Sequence, residues 1–171
     1  ISSSIYEVLT KKETIEKSII KTKSKNLYLL PAYLNLAGVD MELIELERKA
    51  KENGEKFNRV IRLKEELGKV SDNFDYILID CMPSLGLIPI NCLACSNEII
   101  IPVQSQYLAM RGMTYLFETV SKVRRTINPD LRVKGILLTL VDRRANLSKN
   151  VRQELDKNYG KYVNKNSWSI Y

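Results

Sequence analysis

Histidine is absent from this 171-residue chain. Without it, the usual Ser-His-Asp and Cys-His nucleophile systems and imidazole-based metal sites are excluded. Cysteine is scarce, with only Cys81, Cys92 and Cys95. An odd count argues against a closed disulfide framework. Cys92-x-x-Cys95 has neither a histidine nor a second cysteine pair to complete four-coordinate zinc. The expectation is thiols buried in a helix, in a reducing compartment. No run of about 18 apolar residues occurs, so no membrane-spanning helix is predicted. The start at Ile1 is polar, unlike the basic-then-apolar opening of a secretory leader. Gly-x-x-x-x-Gly-Lys-Ser/Thr occurs nowhere, so the usual glycine-rich phosphate loop is missing from the sequence.

What is present suits one ordinary domain. Hydrophobic residues make up 44% of the chain, enough for a core. The net charge of +7 is unevenly placed. Residues 122–165 hold 12 Lys/Arg and four acids, whereas the remainder holds 15 and 16. Such asymmetry points to a polyanionic partner, most simply nucleic acid, against a merely solvated lysine-rich surface.

The apolar spacing predicts alternating helices and strands. Residues 4–21 read as one amphipathic helix, or two where the spacing slips around Thr10 to Thr14. Leu27–Leu30 reads as a short strand stopped by Pro31. Asp40 is the expected N-cap of a helix over Met41–Asn53, with Glu45 and Lys49 paired on it and Gly54 at its end. A further helix is expected over Lys56–Val70, offering Phe57, Val60, Ile61 and Leu67 to the core. Leu87–Ser96 is the next helix, with Pro89 in its first turn. Glu98–Ile101 is a strand ended by Pro102. Ala109, Met113, Leu116, Phe117, Val120, Val123 and Ile127 form an apolar helical stripe. Gly135–Thr139 is a strand, and Ser148 caps a last helix carrying Val151, Leu155 and Tyr159. The expected fold class is α/β: a parallel sheet flanked by helices on both faces.

The most informative stretch is residues 76–91. Tyr76–Ile79 is an apolar run that ends on one carboxylate, Asp80, with Pro83 and Gly86 close behind. This is the pattern of a buried parallel strand delivering an acid to the carboxyl edge of a sheet, where open α/β folds bind ligands. P-loop nucleotidases hold magnesium near such an Asp, usually through water. The bland alternative for Asp80 is a cap for the following turn.

The stretch resembles the second nucleotide motif of ParA-type (Soj-like) partitioning ATPases, a deviant P-loop family. Other segments share the resemblance in the family's order. They are Leu30-Pro31-Ala32 with Leu36-Ala37-Gly38; Ile101-Pro102-Val103-Gln104 with Tyr107-Leu108-Ala109 and Gly112; and Asn128-Pro129 with Gly135-Ile136-Leu137-Leu138-Thr139 and Asp142-Arg143-Arg144. The match covers roughly residues 5–163. Met82 stands where the family usually has the first of two prolines, while Pro83 keeps the second. Gln106 and Arg111 stand where the family usually has Glu. The family's Lys-Gly-Gly-Val-Gly-Lys-Thr type loop and its Asp-x-Asp-Pro motif lie upstream of the position matching Ile5 and are absent. The expectation is therefore one partial domain over residues 1–171, of P-loop NTPase type but incomplete. Its tail 164–171 is divergent and expected to be disordered.

The resemblance implies roles for particular residues. Asp80 would be the magnesium-side acid of an ATP site, and Pro83 would shape its turn. Arg144, with neighbouring Arg143, Lys149 and Arg152, would hold DNA through its backbone without regard to sequence. Intact relatives of this kind bind ATP and Mg²⁺, dimerise around the nucleotide, coat DNA and hydrolyse ATP with a ParB-like partner, in the bacterial cytoplasm at the nucleoid. A chain without the phosphate loop is expected to be a poor ATPase alone, and an incomplete sheet is expected to expose hydrogen-bonding edges. The rival is a non-catalytic DNA-binding or dimer-interfering module. The membrane-associated MinD branch needs a C-terminal amphipathic helix, for which Asn164–Tyr171 is too short and polar.

Overall fold

The alternation of helices and strands is realised in two separate units of the computed structural model, Ile1–Cys95 and Ser96–Tyr171. The structure describes residues 3–82, 86–104, 109–139 and 146–163. The tail 164–171 lies outside them.

The first unit is mostly helical. Ser4 and Glu7 form a capping box that starts α1 (Ile5–Leu9), with Ser4 N–H donating to Glu7 Oε2 at 2.8 Å. Lys11, at φ +59°, breaks the helix in the left-handed region, and α2 (Ile15–Ser18) follows. The slip in apolar spacing is thus a true break into two helices. β1 (Ile20–Lys21) and β2 (Tyr28–Leu29) make a two-residue antiparallel ladder. The strand expected at Leu27–Leu30 exists, but it is short, exposed and paired in a hairpin. After a 3₁₀ turn at Leu34–Gly38 comes α3 (Val39–Glu52), and Gly54, at φ +72°, follows its end in the left-handed conformation that favours glycine. On α3, Glu45 pairs with Lys49 at 3.5 Å as the spacing predicts.

Three expectations fail in this unit. Asp40 does not cap α3: it lies in the helix's first turn, and Gly38 is the cap residue. The helix expected over Lys56–Val70 shrinks to α4 (Arg62–Leu67). Residues 55–61 are instead held by turn contacts, with Asn58 Oδ1 accepting from Val60 N–H and Glu47 accepting from Arg59 N–H. The third is Tyr76–Ile79. It forms no strand ladder among the described residues, and Tyr76 and Leu78 are 88% and 92% exposed. The core of this unit is Leu9, Val39, Leu43, Leu63 and Cys92, drawn from α1, α3, α4 and α5 (Leu87–Cys95).

The second unit is a β–α–β–α run: β3 (Glu98–Gln104), α6 (Ala109–Thr126), β4 (Arg132–Thr139) and α7 (Asn146–Tyr159). The two strands are parallel and in register from Glu98↔Arg132 to Gln104↔Thr139, with one irregularity at Ile99/Ile100. Parallel strands need a crossover, and α6 supplies it. Its stripe works as read: Met113, Val120 and Val123 are buried, with Leu116 and Phe117 half-buried. The side chains of Ala109 and of α7's Ser148 are not described, and α7 begins at Asn146, before Ser148. Val151 and Leu155 of α7 are buried against Ile136 and Leu138, and Tyr159 stacks on Phe117 with ring centroids 4.8 Å apart. Pro102 does not end β3, which continues to Gln104. Proline is tolerated on an edge strand, and β3 has a ladder partner on one side only among the described residues. No described helix is long and apolar enough to cross a membrane. The fold class is α/β with parallel strands and helices.

Candidate functional site

Asp80 lies in a segment, residues 76–82, that forms neither helix nor ladder and reaches the first unit's helical core through two side chains. Side chains of a strand-like chain alternate between faces, and here the alternation holds from Leu78 to Met82 but not at Ile77. Ile79 and Cys81 pack on the cluster of Leu9, Val39, Leu43, Leu63 and Cys92, and Ile77 is 39% exposed. Tyr76, Leu78, Asp80 and Met82 face outward. The sequence predicts burial on both faces, as for a central parallel strand. In the described residues only one face is covered, and that leaves the Asp80 carboxylate accessible on the other. Pro83 lies outside the described residues.

The exposure of Leu78 has a direct consequence. A buried leucine replaced by lysine would cost several kcal/mol. Here Leu78→Lys is expected to change stability by less than about 0.5 kcal/mol, as surface substitutions do. A urea denaturation shift above about 1.5 kcal/mol would show that this side chain is covered in solution.

α5 follows closely, and its start is held by a residue the sequence reading assigned elsewhere. Asp40 Oδ2 accepts the Leu87 N–H at 3.1 Å, so this acid of α3 caps α5 across 47 residues. A carboxylate is favoured there by the partial positive charge of a helix N-terminus. Gly86 makes the approach feasible, since a Cβ at that position would stand 3.0 Å from Asp40 Oδ2. Nothing in the local sequence around Asp40 signals this long-range partner. Pro89 falls in the first turn of α5, where its missing N–H is harmless.

The three cysteines all belong to or pack against this unit's helical core. Cys92 is buried in α5, and Cys81 and Cys95 are half-buried against its cluster. A hydrogen bond from the Cys92 thiol holds Cys81 down to about 7, against the opposing effects of burial and of Asp80. Cys92 is pushed up by the same bond and by burial, and burial pushes Cys95 up to about 11. Among the described residues no group of three or more potential metal ligands comes together.

In the second unit, Gln104 and Thr139 stand side by side at the carboxyl ends of the parallel pair, and Thr139 Oγ1 donates to Val103 O at 3.4 Å. Arg143 and Arg144 follow β4 and lie outside the described residues, as does Gln106 after β3. Lys149 and Arg152 belong to α7, and their side chains are not described. Lys122, Arg124 and Arg125 are exposed on the last turns of α6, which leads to exposed Arg132 at the start of β4. Eight residues of β-strand span roughly 25 Å, which separates Arg132 from Thr139 at the other end of β4.

Comparison with known proteins places these features in a family. The AAA domain family model AAA_31 matches residues 1–133. The chain is 38% identical over 157 residues to the sporulation initiation inhibitor protein Soj of Bacillus subtilis, covering 92% of this chain and 58% of that protein. It is 36% identical over 163 residues to the chromosome partitioning protein ParA of Myxococcus xanthus, covering 95% and 54%. Among solved structures, a cobyrinic acid a,c-diamide synthase from Mycobacterium smegmatis with bound ATP analog and magnesium superposes with a TM-score of 0.80 at 33% identity, over 92% of this chain and 60% of that one. The chain thus spans a little over half the length of the curated relatives it matches. Its α/β fold is of the P-loop NTPase type, in part. With ordered motifs, strand–helix order and the matching model in agreement, the chain belongs to the AAA domain family AAA_31, and the curated relatives it resembles are Soj and ParA proteins.

Proposed function

We propose that this chain carries the magnesium-side part of a ParA-like partition ATPase. The observation that supports it is the placement of Asp80: exposed, between Ile79 and Cys81, which are both packed on the core, in a chain of this family. A carboxylate oxygen open to solvent suits a hydrated magnesium ion, which prefers hard oxygen ligands and keeps several waters. Magnesium bound there would neutralise charge on the phosphates of ATP. Pro83 would shape the turn beside it. The phosphate cradle is not among this chain's residues, so Asp80 orients the ion but does not hold the nucleotide by itself. The whole protein would dimerise around ATP, bind DNA without sequence preference through Arg143, Arg144, Lys149 and Arg152, and release it when a ParB-like partner stimulates hydrolysis. Its setting would be the bacterial cytoplasm, at the nucleoid.

A second reading has its own support. Residues 122–165 hold 12 Lys/Arg against four acids, the charge a DNA-binding module needs, and such a module, or one that interferes with dimers, requires no catalysis. Two titrations separate the readings. With fluorescent ATP, the chain alone is expected to bind weakly with or without Mg²⁺. Tight Mg²⁺-dependent binding lost in Asp80→Ala would overturn the account of the missing cradle. With DNA, two unrelated duplexes should bind alike, and Arg144→Ala should weaken both and lower the slope of log K against log salt by about 1. An unchanged slope would remove Arg144 from the interface. Restored Mg²⁺-dependent hydrolysis on adding a phosphate-loop segment would favour the ATPase reading over the module.

A further inference from the structure

We infer that the junction of Asn53 and Gly54, at the end of α3, is a site of spontaneous covalent modification, where Asn53 cyclises to a succinimide and opens to isoaspartate or aspartate. The sequence contains a single Asn-Gly pair, and this is it. Glycine favours the reaction because, without a Cβ, it leaves its own backbone nitrogen unshielded. Both residues are exposed, and a Cβ added at Gly54 would meet nothing within 4 Å, so water reaches the pair. The Asn53 carboxamide has no hydrogen-bond partner among the described residues.

The backbone slows the reaction without blocking it. Asn53 is the cap residue of α3, at φ −85° and ψ 0°. The chain beyond it closes a Schellman motif: Glu55 N–H donates to Ala50 O at 2.7 Å and Gly54 N–H donates to Lys51 O at 3.3 Å. At this ψ the Gly54 nitrogen points away from the Asn53 side chain. Ring closure therefore needs ψ to rotate and both bonds to open. Two backbone hydrogen bonds of ordinary net strength slow the reaction by about thirtyfold relative to a free peptide. Waiting for global unfolding would slow it by more than about a thousandfold. Helix ends open far more readily than cores, so the local route dominates.

The Gly54 nitrogen attacks Asn53 Cγ. The N–Cγ bond forms, the Cγ–Nδ2 bond breaks, and ammonia leaves with the proton from Gly54 nitrogen. Water then adds to one of the two ring carbonyls. Opening at the former backbone carbonyl gives isoaspartate, and opening at Cγ gives aspartate. One water is consumed and one ammonia released. Either product places a carboxylate at the C-terminal end of α3, where negative charge is unfavourable. Isoaspartate also lengthens the main chain by one methylene, which breaks the Schellman motif. The inference does not rest on the nucleotide reading, since its test reads backbone chemistry alone.

The native chain and a synthetic peptide of residues 52–56 are incubated side by side at mildly alkaline pH. Trypsin then releases Glu52–Lys56 from the chain, and conversion is read from its mass and from separation of its isomers. The expected result is conversion about thirtyfold slower than in the peptide, with isoaspartate exceeding aspartate. Chain unfolded in urea should convert like the peptide. Asn53→Gln, which would need a larger ring, should stay intact. Any slowing below about a thousandfold supports local opening at the cap. Any greater slowing overturns the inference, because the cap would then protect Asn53 as fully as global folding does. A product that is aspartate alone, or equal conversion at any other asparagine, also overturns it.

Discussion

Glu66→Ala is expected to destabilise the first unit by about 3–5 kcal/mol, the cost of leaving a buried charge without its partner. Glu66 is 1% exposed and Arg62 is 7% exposed, and their side chains meet at 2.6 Å between Oε1 and Nη1. Lys69 adds a contact to Glu66 at 2.7 Å. The Arg62 guanidinium also donates to the Leu9 and Val8 carbonyls at 3.3 and 3.4 Å, tying α4 to the end of α1. Removing the carboxylate leaves the largely buried guanidinium with one weaker ionic partner, the exposed Glu65 carboxylate at 3.3 Å. Replacing both members with apolar residues of similar volume, Arg62→Met with Glu66→Leu, should be much milder, because no charge is left behind. Urea unfolding at neutral pH measures both variants. A single-variant loss under about 1 kcal/mol, or a double variant worse than the single, would refute the assignment.

Asn91→Ala is expected to cost about 2–4 kcal/mol. The side chain is 1% exposed and fully used. Its Oδ1 accepts the Leu63 N–H at 3.0 Å, and its Nδ2 donates to the Arg59 and Leu87 carbonyls at 2.8 and 2.9 Å. Alanine leaves a backbone donor at the start of α4 and a carbonyl of the preceding turn unpaired inside the protein, at about 1–3 kcal/mol for each buried group. Asn91→Asp keeps the acceptor and loses both donors, so it should rescue little. Amide hydrogen exchange at Leu63 gives a local readout: protection should fall in the alanine variant more than at positions in α1. Unchanged protection at Leu63 would mean that the bond does not hold α4 in solution.

Both residues show where sequence reading stops. Arg62, Glu66 and Asn91 are polar and sit in segments whose apolar spacing was the visible signal, so Phe57 and Leu67 drew attention and the buried polar residues did not. Polar burial depends on partners far along the chain: Leu9 for Arg62, Arg59 for Asn91, and Leu87 for Asp40. No local window contains them.

What the sequence by itself determined is the periodic part. The stripe of α6, the apolar face of α7, the existence of strands at 98–101 and 135–139, which the structure lengthens to Glu98–Gln104 and Arg132–Thr139, and the stop at Gly54 follow from spacing and from glycine's freedom at positive φ. The ordered motifs also identified the family. Tertiary structure alone decided that Tyr76–Ile79 lies on the core by one face and pairs with no described strand, because a ladder needs a neighbour that an apolar run cannot specify. It alone turned Asp40 into the cap of α5, because that contact joins residues 47 apart in the chain and no local window contains both.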